Sequence, residues 1–204
     1  MQDLTSIRDR INQMAELVLS MLRRTFEGFI QHNLDILTNV LKDEHRLNET
    51  ERELTRFLVD LSKIGIVLVD KKVIRNLADI IDHLEEIGDY VKDMIERIEI
   101  KIQEKLLFSN EALEQYKHLY GLVESTLSKV VDSLKSEDKE ISHRVLRGKA
   151  DIHRLIEEYR SAHTQRLISG ICDTRAGNMF LNLLDFTGQI YNHSLSVAKI
   201  ISES

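Results

Sequence analysis

The chain has 204 residues, 42% of them hydrophobic and 30% charged, which is enough for one large domain or two small ones with a real core. Its formal net charge of −6 excludes a nucleic-acid-binding domain, because neutralising phosphates requires a basic surface. The single cysteine, Cys172, excludes an internal disulfide and every cysteine-based metal cluster, and it fits a reducing cytoplasm.

Helix breakers are rare in this sequence. Proline is absent and glycine numbers only 8, so an all-α architecture is favoured. Apolar residues recur every three or four positions along six segments, which is the spacing of one buried face on an α-helix. The six long helices predicted from this spacing run from about 4 to 30, 34 to 64, 71 to 105, 110 to 134, 136 to 168 and 174 to 201. Helices of this length form an elongated bundle of about 45 Å, at 1.5 Å per residue.

The order of the predicted helices repeats. The second helix aligns with the fifth, and the third aligns with the sixth. We therefore predict two tandem three-helix repeats, 1–105 and 106–204. Each repeat alone has little core, so the two are expected to pack together as one compact domain.

Two acidic residues lie one helical turn apart in the third helix. Glu85 and Asp89 point the same way on a helix, so their charges repel unless a cation is near or water solvates both. Gly88, just before Asp89, lacks a side chain and costs helix propensity of roughly 1 kcal/mol. We therefore expect a neighbouring element to approach the third helix closely at Gly88.

The second predicted helix carries two carboxylates, Glu44 and Glu51, in a seam that is otherwise apolar. A carboxylate in such a seam is costly unless a cation or hydrogen bonds accompany it. Arg52 or Arg75 could supply that cation, and a metal ion is the alternative.

No group of residues carries the signature of an enzyme. Neither His163 nor His193 lies beside a serine or cysteine in a nucleophile motif, and a glycine-rich phosphate loop is missing. Di-iron carboxylate bundles use two Glu-x-x-His motifs and two further glutamates, whereas one such motif, from Glu140 to His143, is found here. No stretch approaches the ~20 apolar residues that cross a bilayer. We therefore predict a protein that is not an enzyme and does not insert into the membrane.

The run Glu85-Glu86-Ile87-Gly88-Asp89 resembles the Glu-Arg-Ile-Gly-Asp run of the PhoU family, the two-repeat three-helix-bundle proteins of bacterial phosphate control. Glu44 and Asn48 occupy the position of the family's other acidic pair, with Asn48 where aspartate is commoner. More narrowly, the segments 160–170 and 173–198 are similar to PhoU-like domains at the cytoplasmic C-terminus of sodium/phosphate cotransporters. The resemblance spans essentially the whole chain.

This resemblance implies a multinuclear metal cluster, usually of iron or zinc, bound by the acidic pairs. In the second repeat one pair becomes Lys149 with His153, and the lysine would oppose a cation. The other pair becomes Gly188 with Asn192, so both carboxylate sets are lost. At most one cluster is therefore expected, and its ligands are Glu44, Asn48, Glu85 and Asp89.

The resemblance further implies a non-catalytic regulatory domain of phosphate transport, cytoplasmic and peripheral at the inner membrane. Its expected partner is the cytoplasmic face of a sodium/phosphate cotransporter, whose basic loops would meet the acidic helical surface. A homodimer is also expected, because long bundles often share exposed apolar positions between copies. Two alternatives stay open: a free-standing adaptor of an ABC phosphate importer and its sensor kinase, and a metal-binding or di-iron carboxylate bundle.

Overall fold

The described part of this protein is largely α-helical. A computed structural model describes residues 4–63, 71–148 and 151–204. Within these ranges the chain forms seven α-helices and no strand, which confirms the predicted all-α class. The helices are α1 (Leu4–Gln31), α2 (Leu34–Lys63), α3 (Lys71–Gln103), α4 (Asn110–Ser136), α5 (Lys139–Arg147), α6 (Ile152–Ile168) and α7 (Thr174–Glu203). Within the same ranges, no helix combines the length and apolar character needed to cross a bilayer.

The prediction of six helices is wrong at the fifth, which is divided into α5 and α6. α5 ends where the backbone N–H of Gly148 donates to the carbonyl of Arg144. α6 begins where the side chain of Asp151 accepts a hydrogen bond from the backbone N–H of Arg154. Such a cap satisfies a donor that the first helical turn leaves unpaired, so it favours a new helix at this point.

Capping side chains also mark the starts of two predicted helices. Ser109 accepts from the backbone N–H of Ala112 at the start of α4. Asp173 accepts from the backbone N–H groups of Arg175 and Ala176 at the start of α7. Both starts lie where the sequence predicted them.

Four helices form the centre of the bundle. In order around the core they are α1, α3, α7 and α4, each packed on the next, with α4 returning to α1. α2 covers α1 and α3, while α5 and α6 cover α4 and α7. The core between them is aliphatic over most of its length. The division of the chain into repeats at 1–105 and 106–204 stays a prediction.

α2 and α3 pack closely at Gly88. A Cβ atom placed on Gly88 would lie 2.1 Å from Cδ2 of Leu47, a separation that real Cβ atoms essentially never show. Leu47 is fully buried on α2. The expected close approach is therefore confirmed, and it brings the preceding turn of α2, with Glu44, against α3.

Candidate functional site

A buried carboxylate lies where α2 packs on α3. Glu44 is only 1% exposed, although burying a charge costs several kcal/mol unless polar groups surround it. The side-chain amide of Asn48 donates to its Oε1 at 2.9 Å, and the ammonium of Lys92 donates to the same oxygen at 3.2 Å. Nδ1 of His45 lies 3.3 Å from Oε2. The sequence analysis expected a cation or hydrogen bonds at this carboxylate, and both are present.

The cation comes from a residue that the sequence analysis did not single out. It is Lys92 of α3, rather than Arg52 or Arg75. Lys92 follows Asp89 by three residues and Glu85 by seven, so all three lie on one face of α3. That spacing is the signal by which the sequence could have identified it.

The two acidic residues of α3 lie in a half-buried environment. Burial, followed by the charge of Asp89, raises the pKa of Glu85 to about 7. Burial also raises the pKa of Asp89, which the charge of Lys92 lowers and that of Glu44 raises. Asp89 therefore lies within electrostatic reach of the Glu44–Lys92 pair. Glu85 is affected instead by Glu51, one of the two seam carboxylates of α2.

Further carboxylates extend this group along the two helices. Burial, followed by the charge of Glu51, also raises the pKa of Asp82. Six carboxylates form what we call the acidic strip: Glu51 on α2, and Asp82, Glu85, Glu86, Asp89 and Asp93 on α3. None of the six forms an ion pair with a lysine, arginine or histidine among residues 4–63, 71–148 and 151–204.

The predicted metal ligands are brought together only in part. Glu44 and Asn48 are in direct contact, and Asp89 is near them, but Lys92 already holds the buried carboxylate. Within the part of the chain that the structure describes, no group of three or more His, Cys, Asp and Glu side chains is placed to share one metal ion. This arrangement fits an ammonium better than a metal cluster. An iron or zinc cluster at these residues stays a prediction.

The corresponding positions of the second predicted repeat lack carboxylates. Lys149 lies outside the described residues, and His153 is exposed on α6. Gly188 of α7 is buried, and a Cβ there would lie 2.6 Å from Cδ1 of Ile156. Asn192 donates to the side chain of Gln189 at 3.3 Å. Gly188 therefore serves packing, and none of these four positions carries a carboxylate.

Residues 11–98 match the family model described as the PhoU domain. The match covers 88 of the 204 residues, which include most of α1 and α3 and all of α2. It includes both members of the Glu44–Lys92 pair and the whole acidic strip.

Solved PhoU structures have the same fold as this chain. The crystal structure of PhoU from Pseudomonas aeruginosa matches with a TM-score of 0.87 at 17% identity, over 97% of this chain and 94% of that one. The phosphate transport system regulatory protein PhoU from Streptococcus pneumoniae matches with a TM-score of 0.78 at 11% identity, over 97% and 92%. A PhoU-like protein from Shewanella oneidensis matches with a TM-score of 0.55 at 13% identity, over 98% and 95%. The PhoU fold therefore extends beyond residues 11–98. No curated protein sequence matches the chain significantly.

Proposed function

We propose that this chain regulates phosphate transport as a PhoU-type protein. The observation that carries the proposal is the match of residues 11–98 to the PhoU domain model, inside a fold that matches a solved PhoU structure over 97% of the chain. The S. pneumoniae protein with this fold is, by its description, the regulatory protein of a phosphate transport system. The match covers 94% of the P. aeruginosa chain, so the two chains share almost the whole of that fold.

The acidic strip is the surface that we assign to partner binding. Its carboxylates lack ion-pair partners among the described residues, and two of them, Glu85 and Asp89, lie in a half-buried environment that opposes their charge. Loops on the cytoplasmic side of membrane transporters carry an excess of Lys and Arg. Complementary charge steers such partners together and fixes their orientation. In this proposal the protein acts from the cytoplasmic side, peripheral to the inner membrane, without inserting into it.

Two classes of transporter suit this role. The solved PhoU structures that the chain matches consist almost wholly of this fold, which favours a free-standing adaptor of an ABC phosphate importer. The resemblance of segments 160–170 and 173–198 supports the sodium/phosphate cotransporter. Binding of the purified protein to each purified transporter separates the two classes.

The binding experiment uses substitutions that remove the charge of a carboxylate and keep the size of the side chain. Glu85→Gln with Asp89→Asn removes two charges from the strip, and Glu157→Gln with Glu158→Gln removes two from the surface of α6. We expect the strip variant to bind the transporter more weakly and with less salt dependence. The reason is that the strip carboxylates attract the basic loops of the transporter, and dissolved salt screens that attraction. The α6 variant should bind like the natural protein. Equal binding by all three proteins would contradict the role of the strip.

A homodimer is also part of the proposal. Ile30 and Val59 remain 42% and 45% exposed on α1 and α2, and such apolar positions can be shared between two copies. Sedimentation velocity should return twice the 23.7 kDa mass of one chain. A single-chain mass would remove the dimer and leave the regulatory role intact.

A further inference from the structure

Two histidine side chains meet where α3 crosses α7. Nδ1 of His83 and Nδ1 of His193 lie 3.1 Å apart. The ring centroids are 5.2 Å apart, with the ring planes inclined at 65°. Both side chains are partly exposed, so water and small ions can reach them. This contact lies between α3 and α7 rather than between α2 and α3, and it adjoins the acidic strip: burial raises the pKa of Asp82, and the charge of His83 lowers it.

The contact has a simple protonation requirement. A neutral imidazole carries one N–H donor and one acceptor nitrogen, so a hydrogen bond between two Nδ1 atoms needs opposite tautomers in the two rings. When both Nδ1 atoms are unprotonated, two lone pairs face each other and repel. A cation placed between them converts that repulsion into coordination, and neutral imidazole is the commonest metal ligand among side chains.

The separation of the two nitrogens suits a shared metal ion. With Zn–N bonds of about 2.0–2.1 Å, nitrogens 3.1 Å apart subtend an angle of about 100° at the metal. That angle lies between the octahedral and tetrahedral values, both of which divalent transition metals adopt.

We propose that His83 and His193 bind one divalent transition-metal ion of the kind that prefers imidazole, such as Zn²⁺, with water completing its coordination. Ring contacts of Tyr90 with His193, at 5.7 Å between centroids, and with Phe186, at 6.2 Å, limit the space in which the pair moves. This inference is independent of the proposed function.

The ion would tether two parts of the chain. His83 lies inside the segment 11–98 that matches the PhoU domain model, and His193 lies outside it on α7. Binding to the folded state alone stabilises that state by mass action. Metal availability would thereby strengthen the packing of α3 against α7.

The test is zinc binding by the untagged full-length protein, measured by calorimetric titration and by the thermal unfolding midpoint. We expect the natural protein to bind one Zn²⁺ per chain and to unfold at a higher temperature with Zn²⁺, while Mg²⁺, which prefers oxygen ligands, has no such effect. His83→Asn and His193→Asn should each weaken zinc binding by at least the roughly 10–100-fold that the loss of an outer-sphere partner costs. His153→Asn changes an exposed histidine of α6 and is the matched control. It should bind zinc like the natural protein.

Circular dichroism without metal verifies that each variant is folded, and the two histidine variants provide independent tests should one of them unfold. Glu85→Ala with Asp89→Ala should retain the zinc stoichiometry, which separates this site from the carboxylates of α2 and α3. Zinc binding that survives in His83→Asn and His193→Asn would overturn the proposal. So would the absence of any zinc effect on the natural protein.

Discussion

Glu44 on α2 and Lys92 on α3 form an ion pair of 3.2 Å, in which the carboxylate is buried and the ammonium is 41% exposed. The pair lies beside the closest approach of the two helices, at Gly88. It also adjoins Asp89, the member of the acidic strip whose charge Lys92 compensates. One lysine therefore stabilises the packing of α2 on α3 and offsets part of the negative charge at Asp89.

Removing the ammonium should be more costly than removing the whole pair. We expect Lys92→Met to lower the free energy of unfolding by about 1–3 kcal/mol, because it leaves a buried carboxylate with hydrogen bonds but no cation. Adding Glu44→Gln should recover most of that loss. Urea denaturation of the two single variants and the double variant measures the coupling. A double variant less stable than Lys92→Met alone would contradict this description of the pair.

From the packing at Gly88 we expect opposite effects on stability when two glycines in helix interiors are replaced by alanine. Gly88→Ala should lower the free energy of unfolding by about 1–3 kcal/mol, because its Cβ would overlap the buried side chain of Leu47. Gly121→Ala, in α4, meets nothing within 4 Å and should raise it by up to about 1 kcal/mol through helix propensity. The same urea experiment compares them. Equal effects of the two substitutions would show that α2 and α3 are farther apart than described.

Acid should destabilise the protein partly through one buried histidine. His163 of α6 is 2% exposed, and neither of its ring nitrogens has a hydrogen-bond partner among the described residues. Burial, followed by the charge of Arg166, lowers the pKa of His163 below that of the unfolded chain. Below about pH 6.5 the unfolded chain therefore takes up a proton that the folded protein refuses.

The free energy of unfolding should accordingly fall as the pH drops from about 6.5 towards the lower pKa of the folded state, with no contribution from this group above that range. His163→Leu should reduce the slope of stability against pH in this interval. His153→Gln, exposed on the same helix, provides the control. An unchanged slope in His163→Leu would contradict the burial of a neutral His163.

The metal content of the purified protein tests the predicted metal cluster, whose ligands are Glu44, Asn48, Glu85 and Asp89. Because Lys92 holds the buried carboxylate, Lys92→Met should increase the iron bound per chain after iron-rich expression, and Glu85→Ala with Asp89→Ala should abolish the increase. Elemental analysis in a His193→Asn background keeps the proposed two-histidine site from contributing. An iron content that does not change in these variants would contradict the predicted metal cluster.

The sequence predicts the helices well and their interruptions poorly. The break between α5 and α6 escapes the apolar period because Val145 and Ile152, on either side of it, are seven residues apart and both buried. Seven residues span about two helical turns, so the apolar spacing continues across the break as it would in one uninterrupted helix. Local signals at Gly148 and Asp151 mark it, but a period measured over a long window outweighs them.

The site was predictable where one helix carries it and unpredictable where two helices meet. Spacing along α3 placed Glu85 and Asp89 on one face and predicted the close approach at Gly88. Spacing along one helix cannot show which residue of α3 faces Glu44, so Lys92 was missed. The same limit hid the contact of His83 with His193, which are 110 residues apart.

Phosphate uptake in cells tests the regulatory role most directly. Deleting the gene should leave uptake high when phosphate is plentiful, and the natural protein should restore the decrease. Glu85→Gln with Asp89→Asn should fail to restore it at equal protein abundance, while Glu157→Gln with Glu158→Gln should succeed. Uptake that responds to external phosphate equally with and without this protein would contradict the account.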